Sequence, residues 1–262
     1  MPEDKRTHIY ALIHAIINYL KINEDKSNGA RLALERLAAM NLCEDQIIDT
    51  PSVGTRHEEI LSKAIRGINK PALRVIANSL KRAKKHLVWR EDNNNYYQHG
   101  ADVGRGYRKC NLHTLLIGPD ACGYLQSDFL LGVFMLGPRT FYRDHRHAAP
   151  ELYLNLSDKS EWRFKAQDWQ EYPAGSLIWN EAEEIHATRV KDKPFILHHE
   201  LNEAGNYHNI TLYCVSGQES FKKIVGTLTA KSLNILGAHI YLKKDGFVIV
   251  SVQVEMNQFA TV

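Results

Sequence analysis

The residues with the most chemical capacity lie in one short run, Tyr142-Arg-Asp-His145-Arg-His147-Ala-Ala-Pro-Glu151-Leu-Tyr153. In an extended chain alternate side chains share a face, so His145 and His147 point one way, and Glu151 and Tyr153 pair in the same manner on the next stretch. Pro150 stands between the pairs and predicts a bend that brings both to one pocket wall. Two neutral imidazoles, a carboxylate and a phenol make a donor set for a divalent metal. A bare HxH is better explained by chance or by a hydrogen-bonded core histidine. The full HxHxxxExY run, followed by Pro173-Ala-Gly175 and an isolated His186, favours the metal.

These residues must be carried by a scaffold, and the pattern of apolar residues predicts one in three parts. Ile9, Leu12, Ile13, Ile16, Ile17 and Leu20 form one stripe at helical spacing. A second helix opens at Asn28-Gly29 and carries Leu32, Leu34, Leu37 and Met40. A third begins near Arg56 and includes Ile60, Leu61, Ala64, Ile65 and Ile68. Pro71 interrupts it before a fourth with Leu73, Ile76, Leu80 and Leu87. After Tyr107 the pattern changes to short apolar runs separated by Gly, Pro and Asp, as expected of a sandwich or barrel: His113–Ile117, Phe129–Leu136, Glu151–Leu156, Ser176–Trp179 and Phe195–His198. Past Gly205 a strand at Ile210–Val215, a helix at Ser220–Leu233 and two strands about Asp245-Gly246 predict a small βαββ unit.

Composition narrows the function classes. The chain has 262 residues, and 33 Lys+Arg against 30 Asp+Glu give +3 with histidines neutral, too small a bias for nucleic acid or an anionic membrane. The expected partner is a small molecule. Apolar runs such as Phe129–Leu136 fall far short of the roughly 18–20 residues needed to cross a bilayer, and Met1-Pro-Glu-Asp-Lys-Arg6 carries no signal-like apolar run, so the expectation is no membrane and a cytoplasmic protein. The four cysteines, Cys43, Cys110, Cys122 and Cys214, are scattered without a CxxC, which predicts free thiols.

HxHxxxE, a later PxG and a further histidine resemble the two-motif signature of the cupins, small β-barrels that hold a metal with three His and one Glu. The resemblance implies His145, His147, Glu151 and His186 as ligands of one divalent transition metal per chain, with Fe, Zn, Mn, Ni and Co all open. His186 follows Gly175 by eleven residues, and Val190 stands where cupins usually have Asn. Tyr142, the HxHxxxExY run, Gly175, Trp179 and His186-Ala-Thr188 are instead similar to the cupin-type dimethylsulfoniopropionate (DMSP) lyases, over about residues 1–205. That family implies β-elimination of DMSP to dimethyl sulfide and acrylate. Tyr153 would be the general base, Tyr142 a second catalytic residue for orientation or proton relay, and Trp179, Tyr142 and Trp162 the aromatic contacts to the sulfonium. Another metal-dependent cupin enzyme, a dioxygenase or isomerase, would use the same ligands, and a non-catalytic small-molecule sensor is the alternative of a different class.

Residues 210–254 resemble the first three strands and first helix of an ACT domain of the uridylyltransferase type. The expected fold is therefore mainly β with α: a helical N-terminal layer over 1–92, a single cupin β-barrel with the metal and active site over 93–205, and a partial ACT-like segment over 206–262. The open edge of that segment points to packing on the barrel or to homo-oligomer formation.

Overall fold

A computed structural model describes residues 3–92, 97–157, 160–190, 195–202, 207–215, 226, 235–242 and 247–255. Its contacts divide the chain into a unit Met1–Asp192 and a unit Lys193–Val262.

The first unit begins with helices α1 (Glu3–Ile22), α2 (Asn28–Ala38), α3 (Glu58–Arg66) and α4 (Arg74–Ala83). α1 is its apolar centre: Ile9, Leu12 and Ile13 are fully buried, and each such side chain contributes roughly 1.5–3 kcal/mol of burial. In α3, Glu58 and Glu59 occupy the first turn and Lys63 and Arg66 the last, the arrangement that complements the helix dipole. Pro71 opens a 3-10 turn that leads into α4, where its missing N–H costs nothing. The expected stripe on α2 is only partly buried. Leu37 is inside with Gly29 and Ala30, whereas Leu32 is exposed because it lies on the opposite side of the helix.

A short helix α5 (Arg105–Lys109) introduces the strands β1 (Asn111–Gly118), β2 (Tyr124–Leu125), β3 (Leu131–Leu136), β4 (Phe141–His145), β5 (Glu151–Leu154), β6 (Ser160–Phe164), β7 (Gln170–Tyr172), β8 (Leu177–Asn180) and β9 (His186–Val190). They form a three-stranded sheet β2-β1-β3, a four-stranded sheet β4-β9-β6-β7 and a pair β5-β8. Among the described residues these sheets do not join into a closed ring of hydrogen-bonded strands, so the structure is helix plus sheet without the single continuous barrel expected from the sequence. Helices and strands share one apolar core, in which Leu112, Leu116, Ile117 and Met135 pack with the residues of α1 and α4. The helical layer is therefore part of the same unit as the strands that follow it.

The second unit contains β10 (Phe195–Asn202), β11 (Tyr207–Val215), β12 (Ile235–Leu242) and β13 (Phe247–Glu255), antiparallel in the order β10-β11-β13-β12. β10 pairs along its whole length with β11, from Phe195 opposite Cys214 to Asn202 opposite Tyr207, so this strand groups with the tail rather than with the preceding sheets. The helix expected at Ser220–Leu233 and the Asp245-Gly246 turn lie outside the described residues apart from Gly226. No helix among the described residues is long and apolar enough to cross a membrane.

Candidate active site

Strand register assembles the histidines. β4 and β9 are antiparallel with His145 directly opposite His186, and the ring centroids of the two lie 4.2 Å apart. His147 follows the end of β4, with its ring 6.2 Å from that of His145 and 5.2 Å from that of His186. One nitrogen from each of the three lies within 4.8 Å of the others. His145 and His186 are buried, and His147 is partly so.

The outward-facing ring nitrogens are tied down by backbone. His145 Nδ1 is 2.8 Å from the Arg143 carbonyl, His186 Nδ1 is 2.8 Å from the Glu184 carbonyl, and His147 Nδ1 is 2.7 Å from the Ala149 carbonyl. A carbonyl only accepts, so each ring carries a proton on Nδ1, and the neutral forms of His145 and His186 present a lone pair at Nε2. Burial pushes His145 down to about 3, assisted by the neighbouring His186, and burial also lowers His186. Both are then neutral near pH 7, the form that ligates. The hydrogen bond to Glu151 raises His147 instead.

Glu151 completes the cluster. Its Oε2 lies 3.1 Å from His147 Nε2 and 3.8 Å from His186 Nε2, and the Asn180 amide approaches the same oxygen at 3.4 Å. The β5–β8 pairing explains this, because Glu151 stands opposite Asn180 and Tyr153 opposite Ile178 on one face. His186 Nε2 is buried without a hydrogen-bond partner, as are Asn180 Oδ1 and Trp162 Nε1. The unpartnered His186 Nε2, grouped with nitrogens of His145 and His147 and beside Glu151, fits a cation held by His145, His147, His186 and Glu151.

Aromatic rings enclose the same region. Tyr142 stacks on His145 with 3.7 Å between centroids and 15° between planes. The Tyr153 ring lies 4.6 Å from Trp162 and 6.4 Å from Phe134, and Trp162 lies 6.4 Å from His186. Burial, followed by the nearby Glu151 charge, raises the Tyr153 hydroxyl well above the usual phenol range. Tyr142 is raised as well, by burial first.

Trp179 is not brought to this cluster. It pairs with Leu152 on the other face of β5–β8, where its indole packs on Gly29 of α2 and its Nε1 donates to Glu181 Oε1 at 2.7 Å. Gly175 is also remote, but its backbone is demanding. With φ +86 it suits glycine, and a Cβ there would stand 2.7 Å from the Tyr19 hydroxyl, which donates to the Gly175 carbonyl. Lys70 donates to the neighbouring Ala174 carbonyl at 2.6 Å, so α1 and the segment just before the Pro71 turn clamp the turn that leads into β8.

With this geometry in place, a comparison with protein families matches the dimethylsulfoniopropionate lyase model over residues 27–197. The chain belongs to the DMSP lyase family. It is accordingly a carbon–sulfur lyase, and the three histidines, Glu151 and both tyrosines all fall inside the matched span. Two solved structures are similar to this lyase. One, from crystal structures of the DMSP lyases RdDddP and RnDddQII, is 20% identical with a TM-score of 0.53 and covers 71% of this chain and 88% of its own. The other, the DMSP lyase DddQ from Ruegeria pomeroyi DSS-3, is 15% identical with a TM-score of 0.50 and covers 96% and 94%. At these identities the likeness is one of fold. No curated protein matches the chain.

Sequence reasoning missed Asn180, whose partner Glu151 is set only by cross-strand register. It also missed Phe134, which comes from the separate strand β3 and carries no local motif.

Proposed function

We propose that the protein cleaves DMSP to dimethyl sulfide and acrylate at a metal centre formed by His145, His147, Glu151 and His186, with Tyr153 as general base, on a cupin-type scaffold. The observation that carries this reading is the convergence of three imidazoles, each ring fixed by an Nδ1–carbonyl hydrogen bond, on one spot beside the Glu151 carboxylate. Nitrogen-rich donors with one carboxylate suit Fe, Zn, Mn, Ni or Co.

A divalent cation so bound would supply Lewis-acid stabilisation of the negative charge that develops on the substrate carboxylate, and positive charge that favours the Tyr153 phenolate. Tyr153 Oη then takes the proton from the carbon next to the carboxylate. The electron pair of that C–H bond becomes the new carbon–carbon double bond, and the pair of the C–S bond leaves on sulfur as dimethyl sulfide. Glu151, two residues before Tyr153 on the same face of β5, is placed to receive the proton from the phenol. Before departure the sulfonium lies against Phe134 and Trp162, whose ring faces attract a cation without offering a nucleophile, whereas the faces of Tyr142 are covered by His145 and Tyr107. The buried Trp162 Nε1–H and Asn180 Oδ1 leave hydrogen-bonding capacity for substrate.

The C-terminal sheet, read as ACT-like, serves assembly in this scheme, through its edge strands and a second copy of the chain in the cytoplasm. The test of the function is headspace dimethyl sulfide from metal-loaded protein given DMSP. Release of dimethyl sulfide with equimolar acrylate supports the reading, and its absence across all five metals overturns it.

A further inference from the structure

Three of the four proposed ligands stand on paired strands: His145 on β4 opposite His186 on β9, and Glu151 on β5 opposite Asn180. His147 does not. It lies past the end of β4, where the ladder that fixes His145 and His186 has stopped. Its ring is turned by the Ala149 carbonyl, but that carbonyl belongs to the same loop and cannot set where the loop runs.

The turn between β8 and β9 reaches across to this loop. Glu181-Ala-Glu-Glu184 is closed by the Glu184 N–H, which donates to the Glu181 carbonyl at 3.1 Å, and its third residue, Glu183, has φ +59. Turns that need positive φ at this position normally fill it with glycine or asparagine. A glutamate there is held left-handed against the crowding of its own Cβ. In that conformation the Glu183 N–H donates to the His147 carbonyl at 2.9 Å. The next residue, Glu184, offers its carbonyl to His186 Nδ1 at 2.8 Å. One four-residue turn thus grips the backbone of one histidine and the ring of another.

The Glu183 side chain adds little to this grip. Its Oε2 lies 3.8 Å from Arg146 Nε, with the two side chains 60% and 47% exposed, and exposed pairs of this kind contribute almost nothing measurable. A surface ion pair does not account for a residue held at positive φ, whereas a backbone bond to the ligand-bearing loop does.

We propose that Glu183 is a positioning residue for the metal centre, its backbone N–H fixing the loop so that the His147 ring meets those of His145 and His186. This rests on the metal-centre reading above. Because the grip is made by the backbone, a residue that accepts positive φ should serve as well as glutamate, and one that resists it should not.

The test is a titration of the full-length, metal-free protein with Zn²⁺, its affinity read by chelator competition, in Glu183→Gly, Glu183→Val and Arg139→Val. Glycine keeps the N–H and takes up positive φ without steric cost, so affinity should match wild type. Valine keeps the N–H but is a true outlier at positive φ, and affinity should fall about 10–100-fold, the usual effect of losing a partner that orients a ligand. Arg139 has φ +58 in a turn closed by the Thr140 N–H on the Gly137 carbonyl at 3.3 Å, so valine there is the same backbone insult at another turn and should leave affinity unchanged. Wild-type affinity in Glu183→Val, equal weakening in Glu183→Gly, or weakening of the same size in Arg139→Val overturns the inference. Amide hydrogen exchange of metal-free wild-type protein needs no variant to fold: the Glu183 N–H should be protected, and exchange as fast as that of an open loop also overturns it. Protein that binds Zn²⁺ but releases no dimethyl sulfide with any metal sinks the lyase reading alone and leaves these affinities to decide this one, whereas wild-type protein that binds no metal overturns the metal centre and the role of Glu183 together.

Discussion

Trp179 lies so close to Gly29 that a Cβ carbon at Gly29 would stand 2.1 Å from Cε3 and 2.7 Å from Cζ3 of the indole. No side chain fits there, so α2 and β8 are pressed together by the absence of one methyl group. Gly29→Ala should destabilise the protein by about 1–3 kcal/mol, the usual cost of overpacking. Thermal unfolding reads the loss directly. Metal content per folded chain should be unchanged, because Trp179 faces away from Asn180 and Glu151; a fall in metal content without a fall in Tm would contradict that placement.

Replacing His145, His147 or His186 by Ala should abolish stoichiometric metal. Each removes one of three nitrogen donors whose Nδ1 anchors are already in place. Elemental analysis of wild-type protein should give close to one divalent ion per chain, in line with one donor cluster of this kind. Active wild-type protein free of transition metal would refute the assignment.

Tyr153→Phe keeps the ring against Trp162 and removes only the oxygen. Metal content should persist while kcat for dimethyl sulfide release falls by about 10²–10⁴, the range for a positioned general base. KM should change less. Near-wild-type turnover at full metal occupancy would transfer the role of base to another group.

Trp162→Phe separates substrate binding from stability. The indole N–H is buried without a partner, so deleting it relieves a desolvation cost that the folded protein carries. Tm should stay level or rise, while KM for DMSP increases about tenfold if that N–H meets the substrate. A Tm drop with unchanged KM would mark the ring as mere packing.

Acid should destabilise the metal-free protein through its histidines. His145 is depressed from 6.5 to about 3, so between these values the unfolded chain binds a proton that the folded chain refuses. Its contribution is present above pH 6.5 and is lost as pH falls, by up to about 1.4 kcal/mol per pH unit. His186 has the same sign. His147 has the opposite one, since its raised value gives stability below 6.5 that is lost as pH rises through its folded value. Urea denaturation at pH 7 and pH 5 should show the net loss, and His145→Gln should flatten it; an unaltered pH slope in that variant would count against the burial argument.

The helices were legible in the sequence because each carries its own apolar repeat: Ile9 to Leu20 mark α1 before any partner is known. The histidine–glutamate run was legible because its members are near neighbours in the chain. Trp179 illustrates the limit. Its motif position suggested a pocket wall, but facing is set by parity along β8, and parity is readable only once Glu151 is known to pair with Asn180. Asp92 and Tyr107 were silent for a similar reason, since hydroxyl and carboxylate meet across fifteen residues with no pattern to announce it.

Each metal-facing imidazole is anchored to a carbonyl only two residues away in its own segment: Arg143 for His145, Ala149 for His147 and Glu184 for His186. Orientation is thus local and needs no support from the distant helices. What remains non-local for the histidines is the register that sets His145 opposite His186, with the Glu183 N–H on the His147 carbonyl. The centre is in that sense a portable cassette of two segments, 142–153 and 181–188, that could be moved to another antiparallel pair of strands at the same register. A graft of this kind should bind a transition metal before it acquires any catalytic power.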